Sequence, residues 1–295
     1  MRRLIPIVKA TAFEILSEPL SLLVLLAALV IAVLAPAFHY HQFGEATRMA
    51  RDAGLSSVFT GGLVIAAFGT IRAFRREVES GTMAMALAHP VSRTEFFLSK
   101  TLGAGVAYVV FASVVFLTAL VIVDGAAIGG AIAAKSGDIA RLYGPNLAEG
   151  VGVIVLPLVV GAVLNRFGRV RFVLVAFVIA FLLSVVFAAL SVVRDAEGLL
   201  RLLPVAALIV LFSFVPLVAA AAFAVRFKAN AAASSAGLVL LLLLPAVGNY
   251  YRADALSRGG FVPWAYVGCA ALAVLPAILL FLFLGIHFIN GRDIT

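Results

Sequence analysis

An all-α, polytopic membrane protein of about eight transmembrane helices, preceded by an N-terminal amphipathic interfacial helix, is the fold class this sequence predicts. Three observations carry the prediction. Of 295 residues, 64% are hydrophobic and only 12% are charged, and the mean hydropathy is +1.18. A soluble domain of that length has no interior large enough to hide so much apolar surface, whereas a bilayer acts as the solvent for it. The apolar residues fall in runs near the ~20 residues that cross a hydrocarbon core. Finally, the basic residues gather in short clusters between those runs.

Residues 4–17 come first and differ from the later apolar runs. Lys9 and Glu14 break their apolar character, and Pro19 separates them from the first long run. This pattern predicts a short helix lying on the membrane surface, so that residues 1–19 form a cytoplasmic entry segment ahead of a single transmembrane domain over residues 20–295. Met1-Arg2-Arg3 resembles the start of a signal peptide, but Glu14, Glu18 and Pro19 interrupt the stretch and the apolar run from Leu20 is too long for a signal core. It is expected to remain uncleaved.

Clear spans are predicted near residues 20–38, 55–74, 101–123, 172–193, 202–225 and 264–289. Two weaker ones lie at 147–164, which holds Glu149 and Pro157, and at 231–247, which opens on small and partly polar residues; six spans with two re-entrant or interfacial segments is the alternative. If all eight cross and the N-terminus is cytoplasmic, 14 Lys and Arg fall in inner segments against 8 in outer ones. That is the sign the positive-inside rule requires, and it places both termini in the cytoplasm. The outer segments 39–54 and 124–148 are of moderate length, the second rich in glycine and alanine and predicted as a loop or a shallow helix.

The cytoplasmic stretch 75–100 is the most informative part of the chain. The second span is predicted to continue through Arg75, Arg76, Glu77 and Glu79 to Ser80, where Gly81 offers a helix stop. A short helix comes next from Thr82, carrying Met83, Met85 and Leu87, and His89-Pro90 ends it, because the residue before proline is pushed out of helical geometry. Ser92 and Glu95 then have the spacing of a capping box that opens the next helix through Lys100. A short helix bearing adaptable apolar side chains, flanked by charges such as Arg93, has the make-up of a docking surface; an ordinary headgroup-contacting loop is the plainer alternative.

That stretch resembles the signature of type 2 ATP-binding cassette (ABC) export permeases: Glu77-x-Glu79-x-Gly81-Thr82, a short apolar helix, then Ala88-x-Pro90-Val91-Ser92-Arg93-x-Glu95 and Lys100. The resemblance covers about 26 residues of the chain. It implies that residues 82–88 are the coupling helix that sits in a cleft of a separate ATPase subunit, with Glu77, Glu79, Gly81, Thr82, Met83, Met85, Leu87, Pro90 and Arg93 in the docking segment. It further implies a second permease copy, ATP bound by the partner and not by this chain, and location in the cell (inner) membrane. The chain departs from the family in its expected eight spans, where the family core has six, and in Leu87-Ala88-His89, where leucine-serine usually precedes the proline.

Other chemistry is thinly represented. No Gly-x-x-x-x-Gly-Lys-Ser/Thr loop is present to cradle a nucleotide phosphate, so no ATPase site, catalytic group or cofactor is expected. The net charge of +8 does not line one face and no nucleic-acid-binding motif accompanies it, which excludes nucleic acid as a partner and leaves membrane lipid. Cys269 is the only cysteine, so no intrachain disulfide forms. His39 and His41, two residues apart, would not share a helix face, and no metal site is expected. Asp124, Glu149, Asp195 and Asp254 lie near span ends, and the clear spans lack the central charges of an ion- or proton-driven secondary transporter, the alternative function. The small polar content of the spans is compatible with a small hydrophobic compound, a lipid or a maturation factor for a secreted metalloenzyme as cargo.

Overall fold

A computed structural model of the chain describes residues 4–34, 46–79, 92–136, 144–168, 170–227 and 262–291. The predicted span 231–247, the segment 80–91 in which a short helix is expected, and His39 and His41 lie outside the described residues. Those described are helical almost throughout, with no strand among them. In chain order the helices are α1 (Leu4–Leu16), α2 (Pro19–Leu34), α3 (Ala46–Val64), a π-helical turn (Ile65–Gly69), α4 (Thr70–Glu79), α5 (Arg93–Ser136), α6 (Gly144–Gly168), α7 (Phe172–Arg194), α8 (Ala196–Leu200), α9 (Leu203–Arg226) and α10 (Trp264–Asn290).

Six stretches are long and apolar enough to cross a membrane, namely Thr47–Glu77, Arg93–Ala127, Ala148–Gly168, Phe172–Arg194, Leu203–Arg226 and Trp264–Asn290. The pair α1–α2, bent by 62°, counts as a seventh only if it forms one span. The kink sits at Ser17-Glu18, and Pro19 opens α2 because a proline in the first turn gives up no intrahelical hydrogen bond. The Glu18 carbonyl accepts from the Ser21 and Leu22 N–H groups at 3.1 and 3.3 Å, starting the new helix in its new direction. The protein is therefore a multi-pass membrane protein. Residues 147–164, the weaker candidate, form a full-length helix despite Pro157.

Two helices extend further than the sequence pattern indicates. The third span, predicted over 101–123, is one helix of 44 residues, about 66 Å at 1.5 Å per residue and so longer than a hydrocarbon core of about 30 Å. It contains no proline, and its alanines keep residues 124–136 helical where the glycine content predicts a loop or shallow helix. Likewise α3 begins at Ala46, inside the expected outer segment.

The residues divide into two compact units, one of Met1–Ile15, Leu63–Val109 and Ala207–Thr295, the other of Leu16–Gly62 and Val110–Ala206. In the first, Ala67, Ile71, Phe74, Phe96, Phe97, Ala220, Ala221, Ala224, Val225 and Ile289 form a buried cluster, with Ile7, Phe223, Leu282, Ile286 and Phe288 packed around it. Small residues let helices approach where lipid supplies no hydrophobic drive. A β-carbon on Gly103 of α5 would come within 2.7 Å of the Val8 carbonyl and of Thr11, so glycine there seats α1 directly on α5. Gly285 of α10 similarly leaves room for the Phe97 ring. In the second unit α6 and α7 pack together as a hairpin, α2 packs against both, and Gly54 of α3 fits against Ala119 of α5. Burial separates the helices: 72% of the apolar window is covered in α5 and in α9, against 22% in α6, 28% in α7 and 17% in α10, so the last three leave most of their apolar surface for the bilayer.

Candidate functional site

The site is assembled from the two described ends of the stretch 77–100. Its first end is α4, strongly one-sided, with Phe74 buried and Arg72 and Arg76 exposed. Its second end is the start of α5, where the Glu95 N–H donates to Ser92 Oγ at 3.2 Å while the Ser92 N–H donates to Glu95 Oε2 at 3.0 Å. This reciprocal pair satisfies two of the donors that a helix start leaves over, and it fixes where α5 begins.

Between the two ends lies an ion pair. Lys100 Nζ stands 2.6 Å from Glu77 Oε1, with the lysine side chain 0% exposed and the glutamate 29%. The ammonium also lies 5.5 and 5.8 Å from the ring centroids of Phe74 and Phe96, within the range where a ring face attracts a cation. A lysine buried this completely requires a partner, because an isolated charge removed from water costs several kcal/mol. Glu77 supplies it from α4, so the pair joins the helix that leads into residues 80–91 to the helix that leads out.

Three more cations extend the arrangement. Arg75 Nη1 donates to the Phe227 carbonyl at 3.1 Å, just past the end of α9. Arg93 Nη1 donates to the Asn290 carbonyl at 3.2 Å, at the end of α10. Both guanidiniums meet carbonyls left over at a helix C-terminus, where the helix dipole favours positive charge. Arg76 Nη1 faces Glu14 of α1 at 3.7 Å, with the arginine 69% exposed. The residues of α1, α4, α5, α9 and α10 that make these contacts all lie in the first unit, and they tie the five helices together around the ends of one short stretch.

Of the residues singled out from the sequence, Glu77, Ser92, Arg93 and Glu95 take part in these contacts. Glu79 is the last residue of α4, and Gly81, Thr82, Met83, Met85, Leu87 and Pro90 lie outside the described residues. Sequence reasoning missed the role of Lys100, and the partners of Glu14, Arg75 and Arg76. The available signal was a lysine beside an apolar run and 23 residues from a glutamate, a separation that says nothing about contact until the two helices are paired. Among the described residues no group of three His, Cys, Asp or Glu is placed to hold a metal.

Residues 30–140 match the model of the family described as ABC-2 family transporter protein. Over that range the chain is similar to ABC-2 family transporter proteins. The match supports a membrane subunit of the ABC transporter type. The matched range holds the whole of the 77–100 stretch, and the match does not favour the ion- or proton-driven alternative. No curated protein and no solved structure matches the chain significantly.

Proposed function

We propose that this chain is the permease of an ABC exporter, in which a separate ATPase subunit binds and hydrolyses ATP and moves residues 82–88. Two permease copies and two ATPase chains would form the working assembly in the cell (inner) membrane, with both termini of each permease in the cytoplasm and residues 1–19 as its entry segment. The observation that carries the proposal is the buried Lys100–Glu77 pair at 2.6 Å, which joins the two ends of the stretch inside the matched range. A push on residues 82–88 needs rigid attachments to act on the spans; α4 continues the second span, α5 is the third, and α1 is held by Arg76–Glu14 and by the close approach at Gly103. Outward transport is inferred from the resemblance to export permeases, and the carried compound is of low polarity in keeping with the spans.

The test is affinity purification of the tagged chain from its own membranes, with ATP hydrolysis assayed in the eluate. An ATPase subunit is expected to co-purify with the intact chain, and removal of residues 82–88 is expected to abolish both its retention and transport. Retention and transport undiminished by that deletion, or by Glu79→Ala together with Gly81→Val, would overturn the proposal.

A further inference from the structure

The turn between α6 and α7, in the second unit, presents cations of a different kind. Arg166 and Arg171 are both exposed, and neither has an ionic partner among the described residues. Arg169, between them in sequence, lies outside the described residues. The hairpin itself supplies no counter-charge nearby, because Glu149 is the only acidic residue from 144 to 194. It stands 17 residues before Arg166 on the same helix, about 25 Å away along the axis. Arg194, at the far end of α7, is already matched by the buried Asp124 at 3.5 Å.

The turn is built rather than loose. Asn165 Nδ2 donates to the Val170 carbonyl at 2.7 Å, closing the connection. The Arg171 carbonyl accepts from the Val175 N–H at 3.2 Å as α7 begins. The Phe172 ring packs where Gly161 lets it approach. Apart from Asn165, the exposed side chains that flank the two arginines in sequence are apolar: Phe167 is 84% exposed, and Val163, Leu164 and Val170 are exposed as well.

We propose that this turn is a binding site for anionic phospholipid, with Arg166 and Arg171 on the headgroup phosphate and Phe167 among the acyl chains. Charge complementarity selects the occupant. Planar guanidiniums match phosphate oxygens with paired hydrogen bonds, and an anionic lipid leaves net negative charge where a zwitterionic one does not. The exposed apolar side chains flanking the arginines in sequence favour a lipid over a free anion, which would leave Phe167 in water, and the poorly covered faces of α6 and α7 continue into the same bilayer. This proposal does not depend on coupling to an ATPase.

The test uses the full chain in phosphatidylcholine vesicles containing a small amount of chain-labelled phosphatidylglycerol or chain-labelled phosphatidylcholine, with the motionally restricted fraction of each read by electron paramagnetic resonance. Each arginine near an anionic surface is worth about fivefold in association. The unmodified protein is therefore expected to prefer phosphatidylglycerol by roughly an order of magnitude, R166Q/R171Q to lose most of that preference, and R166K/R171K to keep most of it. R201Q, which removes a guanidinium already facing Glu197 at 3.6 Å, is expected to leave the preference unchanged. A measurement free of any folding question is salt on the unmodified protein: the screening length falls from about 10 Å at 0.1 M to about 3 Å at 1 M, and the preference is expected to fall with it. Equal restriction of the two lipids by the unmodified protein, or a preference untouched by R166Q/R171Q, overturns the proposal. If R166Q/R171Q keeps the lipid preference but loses a co-purifying ATPase subunit, the turn is instead a protein-docking surface.

Discussion

The cations at the ends of the 77–100 stretch and those at the α6–α7 turn belong to the same residue types and have opposite fates. Lys100, Arg75, Arg76 and Arg93 each meet an acceptor on another helix. Arg166 and Arg171 meet none among the described residues. In the first region the acceptors are glutamates and helix-terminal carbonyls, so charge is used to join helices. In the second the chain offers charge outward and leaves its complement to the surroundings. A basic cluster read only as a topology signal hides this difference.

Breaking the first region should show its strength at the most buried contact. E77Q leaves a fully buried ammonium without its carboxylate and is expected to destabilise the protein by about 3–5 kcal/mol. K100M leaves a glutamate that is 29% exposed, and water can reach it, so its cost should be clearly smaller. E77L/K100M, which removes both charges, should recover most of the loss, since an apolar pair can replace a buried ion pair at little cost. Thermal unfolding in detergent ranks the three; equal losses in both single variants would show that burial of the lysine does not govern the pair.

Smaller effects sharpen the same contrast. D124N removes the negative charge that faces Arg194, itself 51% exposed, and should cost about 2 kcal/mol. G103A sets a methyl against the Val8 carbonyl and Thr11 and should cost about 1–3 kcal/mol through overpacking, with a loss of protease resistance centred on α1. E14Q breaks a pair whose arginine is mostly exposed, and less than about 1 kcal/mol is expected. R166Q/R171Q should leave the melting temperature in neutral detergent unchanged, because nothing described in the fold depends on those guanidiniums. A large loss of stability there would erase the distinction between the two regions.

Ser92 and Glu95 were readable as a cap because capping is local: three residues of spacing are enough to define it. Pro19 marked the bend before α2 for the same reason. Glycine content, by contrast, leaves loop and shallow helix both open for residues 124–136, where α5 simply continues. The π-helical turn at Ile65–Gly69 left no periodic trace to find, since the apolar residues around it are continuous. It is positioned by packing, with Gly69 placed so that an added β-carbon would lie 3.1 Å from Ile15 of α1.

By itself the sequence determined that this is an all-helical membrane protein, where most of its spans lie, and which stretch carries the family resemblance. Those properties depend on length, hydropathy and short-range spacing, all of which are linear in the chain. Only the tertiary structure decided that Glu77 and Lys100 are partners, that Arg75 and Arg93 close the ends of α9 and α10, and that Arg166 and Arg171 have no partner among the described residues. The physical reason is that a charge is classified by what lies within about 4 Å of it, and helices far apart in sequence supply those neighbours.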